Sequence, residues 1–315
     1  MDKNKPTHHR QDGTFVNTNG QAIAKPLSAV IKWQLEAPDV KALTLPSMKP
    51  RPEVIANPST AQVTWVGHST FLLQIDGLNI LTDPIFSLRA SPVSFAGPKR
   101  TTPPAMTIEQ LPNIHLVLIS HNHYDHLDKP SIIALQARQV DKPPRYLVPL
   151  GQKAWFDRLG VDQVTELDWW ENASVGTATV HAVPVQHWSS RSPFDRNEVL
   201  WAGFYIDSPS LRTLFVGDSG YSDDFKTIAQ RLGKVDLALV PIGAYAPRWF
   251  MKTAHMNPEE ALQVVHDVGA SRAIGMHWGT FPLTDEPMAE PGERAAATGI
   301  IETPKPGQTI DLREN

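Results

Sequence analysis

The six residues His121-Asn122-His123-Tyr124-Asp125-His126 constrain this chain more than any other stretch. A helix would splay their side chains around most of its circumference, and a strand would alternate them between two faces. Only a loop lets three imidazoles and a carboxylate converge, and crowding so many ionisable groups without a metal is costly. The run before it, Asn113 to Ser120, is apolar and reads as a buried strand. The run after it, Lys129-Pro130-Ser131-Ile132-Ile133-Ala134-Leu135, reads as a helix with proline in its first turn. The local order is therefore strand, ligand-rich loop, helix.

Composition narrows what such a loop can hold and serve. The chain has no cysteine, so histidine and carboxylate must supply every metal ligand, and a reducing compartment is consistent with that. A net charge of −4 argues against nucleic acid as a partner, which would need a concentrated basic surface. No run approaches the length of a membrane-spanning helix, and the N-terminus lacks the apolar core of a signal peptide. The expectation is a cytoplasmic protein, with any membrane contact peripheral.

Along the chain, residues 1–60 are polar and proline-rich, with a short amphipathic helix expected over Leu27 to Leu35. They read as an N-terminal extension packed on a single domain covering residues 61–315. Strands are expected at Val63 to Val66, Phe71 to Ile75 and Asn79 to Thr82, with Asp76-Gly77 as a hairpin turn between the last two. Further strands are expected at 145–148, 177–185, 200–206, 211–216 and 237–241. Helices are expected at 151–159, 222–232 and 257–268. The last has Asn257 as N-cap, Pro258 next, Glu260 at the capping-box position and Gly269 as its stop. Clustered strands with interleaved helices indicate a layered α/β architecture.

One ion could take His121 and His123, and a second Asp125 and His126. That is too few ligands for two ions, and three later residues stand where strands end: His187, Asp218 and His277. Site residues of α/β folds collect at such places. Singly, each has an ordinary explanation: a strand-end histidine is usually a satisfied polar residue, and an Asp in Gly-Asp-Ser-Gly is usually a turn former. The hexapeptide makes the ligand reading of all three the stronger one.

With these words in place, the chain resembles the metallo-β-lactamase superfamily and, within it, the N-acyl-phosphatidylethanolamine-hydrolysing phospholipase D family. The resemblance rests on Val63 to Thr70, Leu81 to Ser87, His121 to Asp128, Glu166 to Trp170, Gln186-His187-Trp188, Gly217 to Tyr221, Pro241 to Lys252 and His277 to Phe281. It runs in order over roughly residues 60 to 285. Gly13 to Asn17 also matches, whereas the rest of residues 1–60 and the region beyond Thr284 do not align clearly.

The resemblance implies a four-layer αββα sandwich with two divalent ions in the cleft, usually zinc, with iron or manganese as alternatives. By position, His121, His123 and His187 would hold one ion, and Asp125, His126 and His277 the other, with Asp218 bridging. Asp83 and His68 would orient ligands from behind, and Asp218, Asp125 and His255 would be catalytic. Tyr124, Trp188, Tyr245, Arg248, Trp249, His255 and Trp278 would contact substrate. For Trp169 and Trp170 ordinary core packing is the better reading. For His255, a solvent-exposed loop position competes evenly with a place beside the phosphate.

The implied partner is a phospholipid at a membrane surface, and the implied assembly a homodimer. Two cations lower the pKa of a bridging water and neutralise the phosphoryl oxygens that would repel it. The expected reaction is attack of that metal-bridging hydroxide on the diester of N-acyl-phosphatidylethanolamine or a related glycerophospholipid, giving phosphatidic acid and N-acylethanolamine. Two competing readings are a hydrolase of another ester, lactone or phosphodiester on the same metals, and a non-catalytic metal- or lipid-binding protein.

Overall fold

In a computed structural model, which describes residues 6–50 and 61–312, two mixed sheets are stacked face to face with helices outside them. The elements in chain order are α1 (Leu27–Glu36), β1 (Gln62–Gly67), β2 (Thr70–Ile75), β3 (Leu78–Thr82), β4 (Leu116–Leu118), α2 (Lys129–Arg138) and β5 (Arg145–Pro149). Next come α3 (Lys153–Asp157), β6 (Val164–Leu167), β7 (Asn172–Val175), β8 (Ala178–Val183), β9 (Gly203–Asp207) and β10 (Arg212–Phe215). The remainder are α4 (Asp224–Leu232), β11 (Leu237–Pro241), α5 (Arg248–Met251), α6 (Pro258–Asp267), β12 (Arg272–Met276), α7 (Glu290–Ala297), β13 (Ile301–Glu302) and β14 (Thr309–Asp311).

The two sheets repeat one plan. The first has strand order β14-β1-β2-β3-β4-β5-β6, and the second β13-β12-β11-β10-β9-β8-β7. Each begins as an antiparallel meander and continues with parallel strands, β3 to β6 in one and β10 to β13 in the other. Parallel pairing requires crossovers, which α2, α3, α4, α6 and α7 supply for all but β3 to β4, where residues 83–115 make the connection. Strand β14 returns to pair with β1 and so ties the end of the second half to the first.

Alternation along the strands builds the layers. Phe71, Leu73, Leu116 and Leu118 point into the core between the sheets. Leu72 and Val117, one residue out of phase, pack instead with Ile132 and Leu135 of α2 and Phe156 of α3. Both faces of the first sheet are therefore covered, which is why its strands read as nearly unbroken apolar runs. The architecture is the expected αββα sandwich.

Local signals hold at several boundaries. The β2–β3 turn places Asp76 and Gly77 at φ of 48° and 81°, as a two-residue hairpin requires. Asn257 accepts from the Glu260 amide at 3.0 Å while the Glu260 carboxylate accepts from the Asn257 amide at 3.3 Å, completing the capping box of α6. Asp128 caps α2 through the Ser131 amide at 3.3 Å. Other elements are shorter than their patterns: the expected helix at 151–159 is ordered as α3 over Lys153–Asp157 only. Strands β6 and β7 and everything from α7 to β14 carried no clear periodic signal.

Residues 6–50 touch the sandwich at several points. Phe15 joins the main core, Leu45 donates its amide to Thr102 at 2.9 Å, and the Met48 amide donates to the Pro306 carbonyl at 2.7 Å. Among the described residues no helix is long and apolar enough to cross a membrane.

Candidate metal centre

Parallel strands deliver their following loops to the same edge, and here that edge collects the ionisable residues. The loop after β4 carries His121, His123, Asp125 and His126, the segment after β10 carries Asp218, and the residue after β12 is His277. His187 follows β8 and Asp83 follows β3. His68, Asp83 and His277 adopt left-handed backbone angles, φ 53°, 30° and 62°, which non-glycine residues rarely accept outside sites that need them. Gly217 before Asp218 also has positive φ, and a Cβ there would meet the Ser120 Cβ at 2.5 Å. The Gly-Asp-Ser-Gly word is thus both a turn and a site: its glycine makes the turn and its aspartate faces inward.

The side chains form two groups. In the first, His121 Nε2 lies 2.9 Å and His187 Nε2 3.4 Å from His123 Nδ1. In the second, Asp125 Oδ2 lies 3.4 Å from His126 Nε2 and 3.2 Å from His277 Nε2. Asp218 Oδ2 stands between the groups, 3.1 Å from His277 Nε2, 3.3 Å from His126 Nε2 and 3.9 Å from His187 Nε2.

Outer contacts decide which nitrogens face inward as lone pairs. The Ser120 hydroxyl donates to Asp83 Oδ2 at 2.5 Å, so at 2.9 Å from His121 Nδ1 it accepts, and His121 Nδ1 carries the proton. His187 Nδ1 faces the Ala254 carbonyl at 3.0 Å, and His126 Nδ1 faces Asp83 Oδ2 at 2.6 Å; both must donate. The Nε2 atoms of these three rings therefore turn inward beside two carboxylates, with His126 Nε2 and Asp218 Oδ1 buried and lacking any hydrogen-bond partner among the described residues. That donor set fits divalent cations held by neutral imidazole and carboxylate.

Electrostatics agree. Burial is the main cause holding His121 and His187 well below the ordinary imidazole value, and His123 at about 4, so these three are neutral. Burial also opposes charge on His126 and His277, but Asp218 leads the carboxylates that overcome it. They raise His126 well above its usual value and His277 to about 9. Burial likewise opposes ionisation of Asp125 and Asp218, yet His126 and His277 hold both well below the carboxylate range. The second group is asking for positive charge, which a metal ion supplies as well as protons do.

Of the residues expected to orient ligands, Asp83 is fully buried and accepts from the Ser120 amide and hydroxyl and from His126. His68 is equally buried, with Nε2 3.0 Å from Asp125 Oδ2. His68 thus stands within the second group itself. Asn17 is a supporting residue that sequence pattern does not mark as functional. Its amide donates to the His187 carbonyl at 3.1 Å and accepts from the His187 amide at 3.0 Å, bracketing that ligand's backbone from 170 residues away. Its signal was the Gly13 to Asn17 word, which stands alone in an otherwise unaligned region.

A cavity of about 350 Å³ opens onto His123, Asp125, Asp218, His255 and His277, with Ile23, Val30, Trp33, Phe250, Met251 and Leu283 among its walls. Of the residues expected at substrate, Trp188 and His255 line it. His255 is therefore no free loop residue: its Nδ1 lies 3.8 Å from Asp218 Oδ2, and burial lowers its pKa to about 4.

The other five stand elsewhere. Tyr124 donates its hydroxyl to the Arg191 carbonyl at 3.0 Å and faces a separate groove. Tyr245 is buried against Glu290 at 2.6 Å, and Arg248 pairs with Glu260 at 2.7 Å. Trp278 stacks on Trp65 with centroids 5.6 Å apart, and Trp249 is 49% exposed. Of the two tryptophans read as core packing, Trp169 is buried in the core and Trp170 packs against it. Ile23, Val30 and Trp33 bring part of the apolar wall from residues 23–33, which carried no aligned word.

Comparison with known proteins gives the same family. Residues 78–278 match the family described as "Beta-lactamase superfamily domain". The N-acyl-phosphatidylethanolamine-hydrolyzing phospholipase D 1 of Caenorhabditis elegans is 42% identical over 242 residues, covering 73% of this chain and 67% of that protein. The mitochondrial N-acyl-phosphatidylethanolamine-hydrolyzing phospholipase D of Saccharomyces cerevisiae is 40% identical over 238 residues, 73% of this chain and 50% of that one. Among solved structures, the metallo hydrolase Igni18 of Ignicoccus hospitalis superposes with a TM-score of 0.60 at 21% identity, covering 80% of this chain and 98% of that chain.

Proposed function

Because this chain belongs to the β-lactamase superfamily and is a metal-dependent hydrolase, we propose that it is a phosphodiesterase of phospholipase D type using two divalent ions, zinc first among them. Its proposed substrate is N-acyl-phosphatidylethanolamine or a related glycerophospholipid, cleaved by water to phosphatidic acid and the N-acylethanolamine. The observation that carries this reading is the position of the ligand groups at one end of an apolar-walled cavity. Likeness to the worm and yeast phospholipases supports the substrate class.

Metal ions held there would supply an activated water and neutralise phosphoryl charge. The chain's own residues account for the rest. His121, His123 and His187 would hold one ion, Asp125, His126 and His277 the other, and Asp218 lies where both groups can share it. Asp83 and Ser120 fix the tautomers of His126 and His121, which keeps their Nε2 atoms pointing inward. His255 is neutral near pH 7, so it offers an N–H to a phosphoryl oxygen rather than a positive charge. Trp188, Phe250 and Met251 exclude water along the path of the acyl chain.

Peripheral membrane contact is part of the proposal. Helix α1 exposes Leu27, Ile31 and Leu35 by 73%, 47% and 81%, while its Val30 and Trp33 line the cavity. An amphipathic helix so placed could lie in a lipid interface with the cavity mouth beside it. The deciding test pairs metal analysis with turnover of N-acyl-phosphatidylethanolamine, a soluble bis-phosphodiester and a lactone. Fastest turnover of the lipid is expected. Faster lactone turnover, or two bound ions with no phosphodiesterase activity, would sink the reading.

A further inference from the structure

The cavity holds two cationic side chains besides its metal-ligand end, Lys25 and Arg196. Neither is ion-paired with a carboxylate among the described residues. Aromatic faces hold them instead: Lys25 Nζ stands 5.4 Å from the Phe250 centroid, and the Arg196 guanidinium 4.1 Å from that of Trp188. Arg196 also donates to the Ile23 carbonyl, which ties it to the segment that carries Lys25.

Among the described residues, the carboxylates lining the cavity are Asp125 and Asp218, and both are committed to the histidines around them. Two fixed cations on an apolar wall, without counter-charge, form a site for an anion. Partial desolvation of the Lys25 ammonium, which lowers its pKa, is in keeping with this.

We propose that Lys25 and Arg196 form a second anion subsite, separate from the metal ligands, which takes a carboxylate or phosphate group borne by an amphiphile in the cavity. The inference rests on the phospholipase reading and sharpens it. Two ions with Asp125 and Asp218 suffice for the scissile diester, so the extra cations select for a second anionic group. That group belongs either to the substrate's own head group or to a neighbouring anionic lipid.

The test compares the metal-loaded wild type with Lys25→Met, since Arg196 also holds the Ile23 carbonyl. In one arm, short-chain monomeric lipids carry an N-acylethanolamine or an N-acylserine head group, which differ by one carboxylate. In the other, N-acyl-phosphatidylethanolamine is presented in phosphatidylcholine vesicles with or without phosphatidylglycerol. A charge-assisted contact predicts that the wild type prefers the anion-bearing condition about tenfold in kcat/KM, in the first arm if the anion is the substrate's and in the second if it is a neighbour's. Lys25→Met brings that ratio close to one.

Equal ratios for wild type and variant in both arms overturn the subsite. If the wild type cleaves no phosphodiester, the phospholipase reading fails by itself. The subsite is then decided by calorimetry with N-decanoylglycine and N-decanoylethanolamine. Tighter binding of the carboxylate to wild type but not to Lys25→Met upholds it, and indifference in both proteins overturns it.

Discussion

Among the described residues, histidine and aspartate gather around Asp168 and around Asp218, and the two clusters are built to opposite ends. His8 and His9 each place Nε2 on one oxygen of Asp168, at 2.6 and 2.8 Å, so each Nε2 meets an acceptor. Around His123, by contrast, nitrogen faces nitrogen at 2.9 and 3.4 Å, an arrangement that one proton cannot satisfy. The two clusters have the same ligand types and comparable compactness. What separates them is which atoms face which: donor to acceptor makes a clamp, lone pair to lone pair makes a place for a cation. The first cluster fastens residues 6–17 to the sandwich, and through Asn17 it stands behind the second.

The sharpest break of this comparison is at the inward cluster. Asp218→Asn is expected to lower metal occupancy, read by elemental analysis, and lipid turnover by about a thousandfold or more, since it weakens the shared ligand and the charge that holds the cations. Full occupancy in that variant would remove Asp218 from the role of a shared ligand.

Asn17→Ala comes next. It leaves the buried amide and carbonyl of His187 without partners, and metal affinity should fall about 10- to 100-fold in chelator competition. An unchanged affinity would make Asn17 a fold residue only.

At the clamp the expected effects are on stability. Asp168→Asn should cost about 2 kcal/mol in denaturant unfolding while leaving metal content unchanged. The pH dependence has a definite sign. Burial opposes the charge on Asp168, but His8 leads the contacts that hold its carboxyl below the ordinary value. Its stabilisation is therefore complete above the unfolded carboxylate pKa and is lost as pH falls through the lower folded one. The gap between wild type and Asp168→Asn should accordingly be flat above about pH 5 and close at lower pH.

Smallest of all, His9→Ala should cost about 1 kcal/mol with no change in metal content. A third ion per chain in the wild type, lost in His9→Ala, would erase the distinction between the clusters.

How much was legible in the sequence follows the same division. The proposed ligands lie within one loop or at strand ends, positions that local pattern reveals, so His121, His123, Asp125, His126, His187, Asp218 and His277 stand out in the sequence. The contacts behind them span the chain: Asn17 reaches His187, and Asp83 reaches Ser120 and His126. Nothing local marks such pairs. The aromatic words were least informative about the site. Trp188 turned toward the cavity while Tyr245, Trp249 and Trp278 did not, because a side chain's direction depends on what the neighbouring elements leave open.

By itself the sequence determined a layered α/β class, narrowed to the αββα sandwich by family resemblance, and the residue types at the centre. Strand period, capping signals and a ligand-rich loop are short-range properties, and each can be read within a few residues. Tertiary structure alone decided that His68 stands within the second His/Asp group and that the N-terminal segment lends part of the cavity wall. It also decided that Lys25 and Arg196 face the cavity. These depend on contacts between distant segments and on the competition among side chains for the same space, which no local pattern encodes.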